Sequence, residues 1–344
     1  MEDIKRSLER AIVEQGWCFG DKATRIGLPF EWTENERKPL ILSLKDLLAV
    51  GFYFSMYYVQ KKTPDTIITK DHDKVQKYCR EQLYGVFKHF FPFLELNGTW
   101  KNHIESQALA RAQDYCFIKR YCDKLPKRLS HGDIGAGLGT TTLYSLKFLN
   151  STFYALEASP MSYSVQRNYF RFVSPYPGAY LDVVECENFQ LTQDAIRKEL
   201  GKDSYRLKHV PTWRFGLVPA RSLDLLTATF VLNELNYAGI LWLLAQASRT
   251  LRKNGYFYIR DSFILKAGTH SIDYDKVLLK IGFQRKAQFE IANRHDFFGI
   301  PRLYRKISDK AYSFDEMVEM CLGKFASVAS GSSYAYNMES TPKL

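Results

Sequence analysis

The stretch Leu129–Asn150, LSHGDIGAGLGTTTLYSLKFLN, constrains this chain most, because it sets a glycine-rich turn between a short apolar strand and a helix. Within it, Asp133, Gly135, Gly137 and Gly139 give Asp-x-Gly-x-Gly-x-Gly. Glycines at alternate positions let the backbone turn tightly and approach a bound group closely. The amides that open the following helix add donors and the positive end of a dipole, which suits a nucleotide.

The segments after the turn alternate strand and helix. Ser151–Glu157 reads as a second strand, and Glu157 ends it 24 residues beyond Asp133. In a doubly wound sheet an acid there can accept the hydroxyls of a ribose. Tyr180–Val184 reads as a third strand, with Glu187, Asn188 and Phe189 beyond it offering polar edges and a face to an adenine. Residues 191–222 read as a polar helix and an irregular loop. Ser222–Asn236 is an apolar strand that runs into an Asn-Glu-Leu-Asn turn, with Thr229 to Glu234 at its end. An amphipathic helix over Ile240–Leu251, a turn at Lys253-Asn254-Gly255 and a strand over Tyr256–Arg260 follow, delivering Asp261. Ile272–Ile281 reads as a helix stopped by Gly282, and Phe283–Ile291 with Arg302–Ile307 as a closing strand pair. Ser313 and Glu316 form a capping-box pattern for one more helix.

Before the turn, residues 1–125 read as a helical accessory or substrate-cap region. Apolar positions recur at helical spacing in Ile4–Val13, Ser43–Val59, Lys74–Phe91 and His103–Cys122. Pro126 marks its end. The α/β domain then occupies 126–310, and 311–344 carries a helix and a polar tail. The fold class expected is therefore α/β, a mostly parallel, doubly wound sheet with a terminal antiparallel strand and a helical region at the amino end.

The chain of 344 residues is 46% hydrophobic, enough for a large core. Its net charge of +11 favours an anionic partner. The excess is concentrated between Arg249 and Lys310, where 14 Lys or Arg stand against 6 Asp or Glu. The six cysteines form no Cys-x-x-Cys pair, so zinc spacing is absent and buried thiols are expected. MEDIKRSLERAIVEQ is charged from its second residue and lacks a secretory apolar segment, which implies a cytoplasmic protein. The longest apolar run, Leu47–Val59, is broken by Gly51 and Ser55 and falls short of the roughly 20 residues of a spanning helix.

The glycine motif with its internal acid Asp133, the acid Glu157, the polar turn after the fourth strand, the segment LRKNGY before the fifth and the closing hairpin resemble the class I S-adenosylmethionine-dependent methyltransferases over Leu129–Ile307. That resemblance implies S-adenosylmethionine as cofactor. It places Asp133, Gly135, Gly137 and Gly139 along the methionine portion and ribose, Glu157 on the ribose hydroxyls, Glu187 and Asn188 at the adenine, and Thr229 to Glu234 near the sulfonium. The run TFVLNELNYAGILWLL is similar to that of sugar O-methyltransferases of bacterial surface-polysaccharide clusters, which implies a sugar hydroxyl as acceptor. It is also similar to that of ribosome-associated methyltransferase-like proteins, which leaves an RNA partner as the alternative. Those proteins usually follow the turn with proline and carry cysteine clusters, whereas here Asn236 follows.

Methyl transfer to a hydroxyl requires an aligned acceptor and a base. Outside the carboxyl ends of the strands the candidates are Glu234, Asp261, His270 and His295. Histidine suits proton abstraction near neutral pH, so His270 comes first and His295 second. Asp273 and Asp296 could join the histidines around a divalent metal, although no metal-ligand spacing requires one. Arg260, Arg294 and Arg302 are available to pair with an acidic or phosphorylated glycan.

Overall fold

Strand β1 (Leu129–Ile134) lies at the centre of an eight-stranded sheet, flanked in parallel by β2 (Ser151–Glu157) and β5 (Leu223–Thr229). The structure is a computed structural model, and it describes residues 2–15, 68–90, 98–158, 160–229, 231–232, 235, 237–261, 271–272, 274–288, 300–321 and 326–327. Strands β3 (Tyr180–Asp182), β4 (Leu207–Pro211), β6 (Leu251–Asp261), β8 (Phe283–Gln288) and β9 (Ile300–Lys306) complete the sheet in the order β3-β4-β2-β1-β5-β6-β9-β8. Every neighbouring pair is parallel except the two made by β9, which runs antiparallel between β6 and β8. The chain leaves β1 toward β2 and later returns to β1's other side at β5. That reversal makes the carboxyl ends of β1 and β5 the point where a doubly wound sheet binds its ligand.

Both faces of the sheet are covered, which the period-two alternation of its strands dictates. In β2, Phe153 and Ala155 pack on one face while Tyr154 and Leu156 pack on the other. In β6, Tyr256 and Tyr258 go with the first set and Phe257 and Ile259 with the second. The first face receives α2 (His72–Phe90), α3 (Gly98–Tyr121), α4 (Thr141–Phe148) and Tyr169 and Phe170 of α5 (Pro160–Val173). The second receives α7 (Gln193–Gly201), α8 (Tyr237–Thr250), α9 (Tyr274–Lys280) and α10 (Phe314–Cys321), with a 3-10 turn over Thr212–Leu217. Helix α1 (Glu2–Gln15) contributes Ile4 and Ala11 to a smaller cluster with Tyr163, Val184 and Trp213. A short pair, β7 (Ser271–Ile272) with β10 (Ala326–Ser327), stands apart from the main sheet.

Local chemistry explains the element ends. Gly282, at φ +85°, stops α9, and its carbonyl accepts from Ile307 N at 2.9 Å. The expected capping box at α10 forms in both directions: Ser313 N donates to Glu316 Oε2 at 2.8 Å, and Glu316 N to Ser313 Oγ at 3.2 Å. The turn read at Lys253-Asn254-Gly255 is an irregularity inside β6, where the register passes from Leu223↔Leu251 to Leu225↔Tyr256 and Asn254 takes φ +69°.

Two readings require correction. The expected strand Tyr180–Val184 ends at Asp182, because the Asp182 side chain accepts from Val184 N and Glu185 N and starts helix α6 (Val183–Asn188). The strand beside β2 is β4, inside the segment read as helix and loop, and it pushes β3 out to the sheet edge. The helix read over Ser43–Val59 lies outside the described residues. Five cysteines, Cys79, Cys116, Cys122, Cys186 and Cys321, are free and buried, as their spacing implied. No described helix is long and apolar enough to cross a membrane.

Candidate functional site

The glycine turn follows β1, and all three of its alternating glycines have positive φ: +61° at Gly135, +56° at Gly137 and +74° at Gly139. Space distinguishes them. A Cβ on Gly139 would stand 2.5 Å from Phe170 Cε1, so this glycine lets the turn pack against α5. A Cβ on Gly137 would meet only Gly135 O, at 3.9 Å, so the middle of the turn opens onto free space at the carboxyl edge.

Glu157, at the end of β2, reaches that opening. Its Oε2 accepts from Gly137 N at 2.9 Å, and its Oε1 from Ala158 N at 2.9 Å. Each carboxylate oxygen is thus held by one backbone amide, which fixes the plane of the group. Gln166 of α5 also donates to Oε2, at 3.1 Å. The sequence reading passed over Gln166, although Tyr163, Gln166 and Phe170 share one helical stripe and all are fully buried. A lone amide in an apolar stripe is the signal that identifies it.

Below the turn, Asp133 is buried and accepts from Thr227 Oγ1 of β5 at 2.5 Å. Thr227 in turn meets His131 Nε2 at 2.9 Å, and His131 Nδ1 meets Ser145 Oγ at 2.6 Å. Burial pushes the Asp133 carboxyl up to about 6, against the pull of Thr227 and Arg111, and burial pushes the His131 imidazole down to about 3. For an acid, a raised folded pKa means that ionisation is harder in the fold. Stability is lost as pH rises from the unfolded value of 3.8 through about 6. In urea unfolding, Asp133→Asn should therefore gain on the wild type across that window, by on the order of 3 kcal/mol. A difference that stays flat with pH would contradict the buried, strained carboxylate.

Arg111 of α3 donates to Thr141 Oγ1, at the start of α4, at 2.7 Å. Its neighbour Asp114 receives Arg260 Nε at 2.7 Å, Arg260 Nη2 at 3.0 Å and the Tyr258 hydroxyl at 2.6 Å, all buried. Arg260, expected to meet an anionic acceptor, pairs inside the fold with Asp114, which joins β6 to α3. Arg302 likewise turns to the Tyr274 hydroxyl and stands 3.9 Å from Asp275.

Glu187 and Asn188 stand on α6 and not at a strand end. Glu187 accepts from Arg214 Nε at 2.5 Å and from Ser7 of α1, while Asn188 Nδ2 lies 3.4 Å from Asp3 Oδ2. Trp213 Nε1 donates to the same Ser7 hydroxyl at 3.1 Å. The pair therefore ties α1 to the 3-10 turn that follows β4, beside Glu157 in register with Pro211. Phe189 is 81% exposed. Thr229 ends β5, half-buried, in register with Arg260.

Of the expected bases, Glu234, His270 and His295 lie outside the described residues, as do Asp273, Arg294 and Asp296. Asp261 is described only as the backbone end of β6, in register with Ile300. Among the described residues no group of His, Cys, Asp or Glu could hold a metal ion.

No protein-family model matches the chain, and no curated protein does. Solved structures do. Phosphoethanolamine N-methyltransferase 1 of Haemonchus contortus, in complex with phosphoethanolamine and S-adenosylhomocysteine, is 14% identical with a TM-score of 0.37. The alignment covers 74% of this chain and 55% of that one, so the chain spans about half the length of that enzyme. A SAM-dependent methyltransferase from Aquifex aeolicus is 13% identical, covering 56% of this chain and 89% of its own, with a TM-score of 0.37. The glycopeptide N-methyltransferase MtfA, complexed with sinefungin, is 15% identical over 58% of this chain and 94% of its own, with a TM-score of 0.37. The fold assignment rests on the chain's own strand order: it is a Rossmann-like, doubly wound α/β protein, with one antiparallel strand inserted beside its edge and a glycine turn at its switch point.

Proposed function

We propose that the chain is an S-adenosylmethionine-dependent methyltransferase. One observation carries the reading: at the switch point, the acid that ends β2 lies within hydrogen-bond distance of the middle glycine of the turn after β1. A ligand lying over that turn would meet free space in front of Gly137, backbone amides, and the Glu157 carboxylate beside them. The residues present fit the group.

In this reading Gly135, Gly137 and Gly139 let the cofactor approach the backbone, and Glu157 binds the ribose hydroxyls. Asp133 shapes the turn from below through Thr227, and Thr229 borders the methyl-bearing end. Glu187 and Asn188 act through α1 and the 3-10 turn, which they hold beside the adenine end. When bound, S-adenosylmethionine supplies an electrophilic methyl group on a sulfonium. The chain must then align an acceptor in line with that methyl and take up the acceptor's proton.

For a hydroxyl acceptor we assign that proton to His270, with His295 second and Glu234 and Asp261 as polar partners. In chain order Glu234 follows β5, His270 follows β6 with Asp261 at its end, and His295 precedes β9, and a doubly wound sheet binds its ligand outside the carboxyl ends of its strands. The acceptor we favour is a sugar hydroxyl of a surface polysaccharide or its precursor, on the sequence run TFVLNELNYAGILWLL. Methyl transfer from tritiated cofactor tests this directly. Label is expected in sugar or glycan acceptors and lost in His270→Ala with cofactor binding intact. Label in RNA alone would replace the sugar reading and leave the methyltransferase reading standing.

A further inference from the structure

We infer that Gln166 is the positioning residue for Glu157, clamping the ribose-binding acid to the glycine turn through both N–H groups of its side-chain amide. The inference rests on the cofactor reading above. Gln166 Nε2 lies 3.1 Å from Glu157 Oε2 and within hydrogen-bond distance of the Gly137 carbonyl. Both partners only accept, so the NH2 group must face them, and Oε1 must face His209 Nε2 at 2.8 Å. Because Gly137 N already donates to Glu157 Oε2 at 2.9 Å, the three residues close a ring. Gly137 gives its N–H to the acid, the acid receives Gln166, and Gln166 returns to the Gly137 carbonyl. Sliding either the acid or the turn breaks two of those bonds together.

The clamp is anchored from behind. His209 must donate from Nε2, which leaves its Nδ1 facing the Tyr180 hydroxyl at 3.0 Å and Asp182 Oδ2 at 3.8 Å. Tyr163 stacks on the imidazole at 3.5 Å between ring centroids and donates to Asp182 Oδ1 at 2.8 Å. Asp182 receives Arg167 Nε at 2.7 Å, and Arg167 pairs with Asp3 of α1 at 2.5 Å. Gln166, His209 and Tyr163 are fully excluded from solvent. Methionine has the size of glutamine but no donor, and glutamate has the size and the acceptor but sets a second carboxylate against Glu157.

The test is calorimetric titration of the full chain with S-adenosylhomocysteine and with its 2′,3′-dideoxy form. The wild type should prefer the ribose form. In Gln166→Met, affinity for the ribose form should fall roughly tenfold to hundredfold while the dideoxy form changes little, as expected when hydrogen bonds to a charged group lose their geometry. The preference should collapse to the level of Glu157→Ala, and the double variant should lose no more. Gln166→Glu should give the same collapse if the methionine variant does not fold. A preference that stays at the wild-type ratio, whether both affinities drop equally or neither moves, would overturn the positioning role. A wild type that binds neither ligand would instead remove the cofactor reading, and this inference with it.

Discussion

Asp114→Ala should cost about 3–5 kcal/mol of folding stability, because it removes the carboxylate that a buried guanidinium meets through two hydrogen bonds. Arg260 is 1% exposed and Asp114 fully buried; they meet through two hydrogen bonds, with the Tyr258 hydroxyl as a third donor. Burial alone would push the Asp114 carboxyl up, yet Arg260 and Arg111 hold it below its usual value of 3.8. An acid depressed in the fold contributes stability that is fully present above the unfolded pKa and is lost as pH falls through the folded one. The Asp114→Ala deficit should therefore be full at neutral pH and shrink below pH 3.8. Urea midpoints across pH measure both effects. Arg260→Met on the same background should recover part of the loss, since the guanidinium leaves with its carboxylate while Tyr258 and Arg111 still lack theirs. The pair joins α3 to β6, so its loss should also loosen the helical layer over the site.

Gly139→Ala should be the second most costly change, at roughly 2–5 kcal/mol from a left-handed backbone plus overpacking against Phe170. Gly137→Ala carries the backbone cost alone, about 1–2 kcal/mol, because its Cβ direction is empty. The functional consequences should run the other way. Gly137→Ala fills the space in front of the turn and should weaken cofactor binding far more than its modest stability loss implies. Thermal midpoints measured beside ligand affinities separate the two, and equal stability losses at both positions would contradict the packing described.

The parts of the fold legible in the sequence were those whose signals are local. β1, β2 and the turn between them carry an apolar run, three glycines and an acid at fixed offsets; Gly282 and the Ser313–Glu316 box mark helix ends by their own chemistry. β4 was illegible because LKHVP carries a lysine and a histidine into a fully buried strand. Their polar groups find partners far away in sequence: Lys208 Nζ caps α7 at the Leu200 carbonyl, 2.5 Å away, and meets the Tyr154 hydroxyl at 3.1 Å. Burial pushes that lysine down to about 8, a sign of how little water reaches it. Tertiary pairing was equally hidden at Arg260 and Glu187, whose partners Asp114 and Arg214 stand well away in sequence. Glu157 was legible because strand end, spacing and charge all coincide at one residue, whereas the Gln166 amide that holds it signals only as one polar break in a helical stripe.

Titration of the full-length chain with S-adenosylhomocysteine tests the central claim most directly. The expected result is one-to-one binding with a Kd in the range of about 1 to 100 µM, a matching rise in thermal midpoint, loss of both in Gly137→Asp and a weakening of both in Glu157→Ala. A folded wild type that gives neither heat nor a thermal shift up to ~1 mM ligand would contradict it.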